Sequence, residues 1–521
     1  MPSPTNEDRL RKRKMESSSA RDASNASDAR RSISSAYNPP DSYQNMNDVG
    51  SILPVGLHGS GSPGRLSQGQ GQGIPRSGLE VEAYNMPPDW ANLDEVAATS
   101  PVENVHEAPI YTHRSLEQTR SWTQERRRGS GSSAGEESGE EGRIPAVVLQ
   151  HSQQESVSQL ATETYTISYL IFFAILGTLA RVGLTALTSY PGAPVIFSVI
   201  WANFSGSLVM GFLSEDRMLF RDEWGTPTYD QQIALAKMEH DASSRSTQSQ
   251  HVVDLVAAKR AHLATKKTIP LYIGLATGFC GSFTSFSSFI RDIYLALSNS
   301  MVAPGYGGSP EGRNGGYSFM ALIAIIITTV ALSLAGLIVG AHLAIFTERY
   351  TPSIPYPVTR KVIDPLAVLL GWGCWAGAIF MAIFPPHDRW RGEILFSLVF
   401  APLGCLLRFY LSVRLNGKIP SFPLGTFVAN IFGTAMLGMA WDLAHAPIGG
   451  VIACQILQGI EDGFCGCLTT ISTWVTELIS LKRRHAYLYG AASIVVATAT
   501  MIAIMGGQKW TGGVHGIQCV P

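Results

Sequence analysis

The chain divides sharply by its pattern of apolar positions. Residues 1–163 show no apolar periodicity and are rich in Ser, Gly, Gln, Asn, Pro and charge, in runs such as Ser17-Ser18-Ser19, Gly59-Ser60-Gly61-Ser62 and Arg126-Arg127-Arg128. Such composition cannot bury enough apolar area to offset the entropy of ordering the chain, so this stretch is expected to be a disordered tail. From about Thr164 onward, long apolar runs recur to the C-terminus. A bilayer-spanning helix needs roughly 20 mostly apolar residues. The runs at 167–188, 193–213, 269–297, 319–346, 362–384, 392–413, 422–443, 451–479 and 486–506 therefore predict nine transmembrane helices. The third and eighth are the least apolar, interrupted by Gly, Ser and Thr.

Charge sets the expected orientation. If the N-terminal tail is cytoplasmic, the inside connections carry Arg217, Arg221, Lys237, Arg245, Lys259, Arg260, Lys266, Lys267, Arg349, Arg360, Lys361, Arg414, Lys418, Lys482, Arg483 and Arg484. The outside connections hold only Arg313, Arg389, Arg391 and Lys509, a strong positive-inside bias. Nine spans then leave the C-terminus outside. The first residues lack an apolar h-region, so no cleavable signal peptide is expected. The formal net charge of −1 gives no ground for a nucleic-acid partner, and none is expected. The cysteines lie mostly inside apolar runs (Cys280, Cys374, Cys405, Cys454, Cys465, Cys467), which reads as small packing residues and neither a disulfide framework nor a metal site.

The first and last groups of four spans repeat one another. Gly177-Thr178-Leu179-Ala180-Arg181 matches Gly404-Cys405-Leu406-Leu407-Arg408, and Asn203-Phe204-Ser205-Gly206-Ser207 matches Asn430-Ile431-Phe432-Gly433-Thr434. Gly278-Phe279-Cys280-Gly281 recurs unchanged at Gly463-Phe464-Cys465-Gly466, followed in register by Thr284-Ser285-Phe286-Ser287-Ser288-Phe289 and Thr469-Thr470-Ile471-Ser472-Thr473-Trp474. Four spans and one lone span (362–384) precede the second copy, so that copy enters the membrane the other way up. The expected architecture is an all-α membrane protein: two inverted four-helix repeats joined by a single inverting helix. Its parts are a tail (1–163), a first repeat (164–346) with a polar insertion (214–268), a linker with the inverting helix (347–391), a second repeat (392–508) and a C-terminal tail (509–521). Inverted repeats place a transport site at their interface, often where helices are interrupted, and the Gly- and Ser/Thr-rich third span of each copy is the natural interruption.

The spans offer few acids. Asp292, Asp364, Glu393, Asp442 and Glu477 lie near expected span ends, and only Glu461 and Asp462 lie deep. The first copy has Ala276 and Thr277 in their place, so this pair reads as caps on a broken helix and not as a coupling site. Both copies instead supply uncharged donors: Asn203, Asn430 and a dense Ser/Thr set that includes Ser285 and Thr470. These suit a small anion. An intramembrane Asn also serves simply to join helices, and Ser or Thr in a helix commonly bonds back to its own backbone. The ring edges of Phe286 and Phe289, three residues apart, are electropositive and can face an anion. Arg181 and Arg408, several residues inside their spans, point to wet vestibules, although snorkelling alone would account for them.

Together these motifs resemble the Fluc (CrcB) fluoride channels and specifically their fused fungal relatives, the FEX fluoride exporters. The likeness covers about 165–506 and rests on both copies of Gly-x-x-x-Arg, Asn-x-x-Gly-(Ser/Thr) and Gly-Phe-Cys-Gly-x-x-Thr-(Ser/Thr). It implies a passive fluoride-selective channel at the plasma membrane that gives fluoride resistance and works as a single chain. It also implies pore asparagines at Asn203 and Asn430, pore phenylalanines at Phe286 and Phe289, and a polar track at Tyr489 and Ser493. A structural Na+ would be held by the backbone carbonyls of Gly281, Thr284, Gly466 and Thr469. The second copy has Ile471 and Trp474 where the Phe pair belongs, and the first shows no counterpart of Tyr489 and Ser493, so one of two pores is expected to be degenerate. A small-multidrug-type transporter shares the architecture but needs a carboxylate midway along its first span; 167–188 has none, and 392–413 has only Glu393 at its edge. An intramembrane hydrolase built on Ser205 or Ser207 with His342 lacks any further element, and no enzyme is expected.

Overall fold

The lipid core offers no water to satisfy a backbone group, so a chain with these apolar runs must close its hydrogen bonds within helices. The computed structural model describes residues 90, 159–197, 199–216, 218–220, 266–301, 312–355, 358–446 and 450–511, and among these there is no strand. The interior of the insertion (221–265), residues 512–521 and all of 1–158 except Trp90 lie outside the described residues. So do Arg217, Arg221, Lys237, Arg245, Lys259 and Arg260 of the charge count.

The helices run in the order α1 (Gln159–Thr188), α2 (Ile200–Glu215), α3 (270–283), α4 (Phe286–Leu297), α5 (Gly315–Thr347), α6 (Thr359–Ile383), α7 (Asp388–Lys418), α8 (Leu424–Ala444), α9 (451–468), α10 (Ser472–Ser480) and α11 (Arg483–Thr511). α3 with α4, and α9 with α10, form the two interrupted spans Pro270–Leu297 and Val451–Ser480. Eight helices among the described residues are long and apolar enough to cross a bilayer. α2, in the expected second span, has only 16 residues. The segment before it carries Pro191, Pro194 and Gly192 at φ +80°, which keep the chain out of the helix until Ile200. α1 begins at Gln159, inside the stretch expected to lack structure. Its polar first turns are sustained by Thr164, Thr166 and Ser168, whose hydroxyls donate to carbonyls four residues back.

α2 and α5 approach closely through glycine: a Cβ at Gly336 or Gly340 would meet the Phe204 or Leu208 carbonyl, the small-residue contact usual between membrane helices. α6, expected only to invert the second repeat, is also tied to its neighbours. The Tyr169 hydroxyl of α1 donates to Asp364 Oδ1 (2.8 Å), Trp372 Nε1 donates to Ser168 Oγ (3.2 Å), and Trp375 Nε1 donates to the Val399 carbonyl of α7 (2.9 Å). The interrupted span Pro270–Leu297 is the most enclosed, with 89% of its apolar window buried against 22% for α6. The core therefore sits on the breaks. One residue of the N-terminal stretch joins it: Trp90 is 4% exposed and packs edge-on against Phe409 (5.2 Å), in a cluster with Leu170, Ala174, Ile273 and Val413. Cys454, expected to be a packing residue, is instead disulfide-bonded; it stands in the first turn of α9, at the end of its span, where a bridge can reach it.

Candidate functional site

The two Gly-Phe-Cys-Gly motifs take the same shape. Each lies in wide π-helical turns, Gly274–Cys280 and Ile460–Cys465, followed by one short α turn. Each then breaks at a threonine in extended backbone: Thr284 at φ −94°, ψ 153°, and Thr469 at φ −91°, ψ 153°. Such a break frees backbone groups that must find other partners.

The paired asparagines supply them. Asn203 Oδ1 accepts from the Ser285 N–H (2.8 Å) and its Nδ2 donates to the Ser285 carbonyl (3.4 Å). Asn430 does the same at Thr470, at 2.9 and 3.3 Å. Both are fully buried. Each asparagine thus clamps the residue after a break, using its amide oxygen and one amide N–H. The threonines reach across to the other copy. Thr284 Oγ1 accepts from the Ile471 and Ser472 N–H groups (3.2 Å each), and Thr469 Oγ1 accepts from the Ser287 N–H (3.1 Å). Each break therefore caps the half-helix that follows the other break. Around them Ser285 Oγ accepts from the Ser288 N–H, and Thr470 Oγ1 lies 3.2 Å from Thr284 Oγ1 and 3.3 Å from Ser472 Oγ.

Arg181 and Arg408, expected at wet vestibules, are found elsewhere: each is 2% exposed. Arg181 Nε donates to the Ser282 carbonyl (3.1 Å) and its Nη2 to the Asp462 carbonyl. Arg408 Nε donates to the Cys467 carbonyl (2.8 Å) and its Nη2 to the Thr277 carbonyl (2.8 Å). Each guanidinium joins a carbonyl in the short α turn of its own copy to one in the wide turn of the other, its fork spanning the two. This also fixes the glycines, because a Cβ on Gly281 would collide with Arg408 and one on Gly466 with Arg181.

The aromatic positions of the two copies meet. Phe286 packs edge-on against Phe289 (5.7 Å) and against Trp474 of the second copy (5.4 Å), and all three are buried, as is Ile471. Tyr489 and Ser493 are buried on α11; Ser493 Oγ donates to the Tyr489 carbonyl (2.8 Å), and the Tyr489 hydroxyl donates to Glu477 Oε2 (2.7 Å). Glu477 Oε1 in turn accepts from Thr426 Oγ1 (2.6 Å), whose N–H donates to Asn416 Oδ1 (3.0 Å). Sequence reasoning missed this network. Glu477 lies three residues after Trp474 and Asp292 three after Phe289, so the copies do share a carboxylate position, contrary to expectation. Both acids are buried, at 4% and 3% exposure. The register of the repeat held the signal, but both were discounted as span ends. Glu461 is not a simple helix cap: it pairs with Arg291 of the first copy (3.4 Å). Ser207 is buried whereas His342 is exposed, so they form no dyad.

The family model described as CrcB-like protein, Camphor Resistance (CrcB), matches residues 168–341 and 395–507. The chain belongs to this family. It is 52% identical to Fluoride export protein 1 of Neurospora crassa over 90% of this chain and 91% of that one. It is 35% identical to Fluoride export protein 1 of Candida albicans over 66% and 80% of the two chains. The Fluoride-specific ion channel FluC of Pseudomonas paraeruginosa is 35% identical over 119 residues, which are 22% of this CrcB-family chain and 91% of the bacterial one. No solved structure matches.

Proposed function

We propose that the chain is a fluoride-selective passive channel that exports cytoplasmic fluoride and so confers fluoride resistance. The observation that carries this reading is the pair of matched, asparagine-clamped helix breaks, each capped by the other copy and surrounded by uncharged donors. Fluoride is small and strongly hydrated, so replacing part of its shell calls for closely placed N–H and O–H groups and aromatic edges, without a fixed cation in the path to hold it too tightly. The arginines are bound to carbonyls, which is consistent with a path of this kind. An inside-negative potential favours anion exit by about 2.3 kcal/mol per 100 mV, so no other energy source is needed. The small-multidrug alternative finds no support: α1 carries no carboxylate at its middle.

In this reading the span containing α2 completes nine crossings, the repeats are inverted about the breaks, and one chain suffices at the plasma membrane. The N-terminus is cytoplasmic and the C-terminus extracellular. The disulfide at Cys454 supports an oxidising, extracellular setting for the start of α9, independently of the charge count. The working pore uses Phe286 and Phe289 of the first copy with Tyr489 and Ser493 of the second. Asn203, Asn430, Ser285 and Thr470 line the approach, and the other pore is degenerate.

A Na+ at the centre fits the donors available. Because the Ser285 and Thr470 N–H groups go to the asparagines, the carbonyls of Gly281 and Gly466 lose the N–H four residues on, and with those of Thr284 and Thr469 they would offer a cation uncharged oxygens. A bound Na+ would supply positive charge that ties these carbonyls together. The deciding experiment is fluoride efflux from liposomes holding the purified chain. It should run without ATP or a proton gradient and be far slower for chloride; a requirement for either energy source refutes the channel.

A further inference from the structure

Trp474 stands where the first copy has Phe289, and by ring count alone it replaces one aromatic with another. It differs in one atom that matters. The indole Nε1–H is a donor that a phenyl ring lacks, and Trp474 is 1% exposed. Among the described residues that N–H has no hydrogen-bond partner. Two indoles elsewhere show the usual outcome: Trp372 donates to Ser168 Oγ and Trp375 to the Val399 carbonyl. A buried donor without an acceptor carries its full desolvation cost, and proteins seldom keep one without a use. Trp474 is held by the Phe286 ring on one side (5.4 Å) and has Gly490 of α11 beside it, where a Cβ would come within 3.8 Å of Cζ2. The indole thus packs between the Phe286 ring of the first copy and α11, the helix that carries Tyr489 and Ser493.

We propose that Trp474 is an anion ligand of the pore, its Nε1–H donating to fluoride as the ion passes the edge of Phe286. This rests on the reading of Phe286 as pore-lining. A charge-assisted N–H bond in a desolvated setting favours the smallest, most strongly accepting halide, so the residue serves selectivity as well as passage. The second copy has thereby exchanged a ring edge for a stronger donor, and its aromatic position is a specialisation where a loss was expected.

The test is Trp474→Phe in the full chain, which installs the residue of the first copy and removes the donor. Phe286→Ile serves as a control. Fluoride efflux from liposomes should fall about tenfold or more in Trp474→Phe. The rise in melting temperature that sodium fluoride produces over sodium chloride should shrink, while the melting temperature in chloride stays level or rises as the orphan donor disappears. Normal efflux in Trp474→Phe with impaired efflux in Phe286→Ile overturns the ligand role alone. Normal efflux in both overturns the pore reading itself. A melting temperature in chloride that falls in step with efflux makes Trp474 a packing residue and also overturns the proposal.

Discussion

Arg181 and Arg408 provide the sharpest test of how the two copies are held together. Each donates one hydrogen bond within its own copy and one to the other, four bonds between charged donors and buried carbonyls in all. A hydrogen bond to a charged group contributes about 1.5–3 kcal/mol, so each arginine contributes on the order of 3–6 kcal/mol to the contact. Arg181→Gln leaves the Ser282 and Asp462 carbonyls short of a partner at depth and should lower the melting temperature of the purified protein by at least about 5 °C. Arg408→Gln should do the same, and Arg→Lys at either position should recover only part of the loss, since an ammonium cannot span two carbonyls as the fork does. Gly281→Ala and Gly466→Ala should mimic the arginine variants, because the new Cβ displaces the guanidinium. The two arginines should weigh equally, whichever pore conducts. If both Gln variants keep their melting temperature and lose only conductance, the side chains act on the ion and the bracing role is wrong.

Other consequences can be checked directly. Phe286→Ile should abolish most efflux, whereas Ile471→Ala should cost little at matched protein level; equal partial losses would mean that two pores conduct. Asn203→Ala and Asn430→Ala should both destabilise the chain by about 1–3 kcal/mol, as each removes a clamp on buried backbone, with efflux separating the pore member from its partner. Trp90→Ala should cost about 3 kcal/mol by emptying its site against Phe409, so removal of 1–155 should leave conduction intact but lower thermal stability. An impermeant maleimide should label intact cells appreciably only after reduction of the Cys454 disulfide; equal labelling without reductant would refute its placement outside.

The helices were legible because a membrane helix writes itself as an unbroken apolar run, and the pairing of motifs was legible because it repeats residue by residue. Three features were not. The shortness of α2 depends on where Pro191 and Pro194 let the helix begin, which hydropathy averages away. The places of Arg181 and Arg408 depend on carbonyls within π-helical turns in a different helix of the other copy, a contact between residues about 280 apart in one case (Arg181 with Asp462) that no local pattern encodes. Trp90 is a single aromatic in a polar stretch, and composition rules describe stretches, not single residues. The Glu477 network differs: the repeat register holds the information, in the matched places of Glu477 and Asp292, but their position near span ends hides it.

What the copies have kept in common, and what each has changed, follows from which contacts are reciprocal. Each asparagine clamp, threonine cap and arginine fork has its twin, and the caps and forks cross between copies, so losing one disturbs both breaks. The aromatic positions carry no such twinned contact, and there the copies differ: Phe286 against Ile471, Phe289 against Trp474. The Glu461–Arg291 pair belongs with the differences, since the matching positions hold Ala276 and Thr476. Its side chains are 9% and 18% exposed, enclosed enough that removing one partner leaves a poorly solvated charge. Glu461→Ala alone should therefore cost about 3–5 kcal/mol, as should Arg291→Thr alone. Glu461→Ala combined with Arg291→Thr restores what the other copy carries and removes both charges together, so most of that loss should vanish. Melting curves of the two single variants and the double variant close the cycle. Additive losses in the double variant would mean that the two side chains act independently, and that the pair does not fasten one copy to the other.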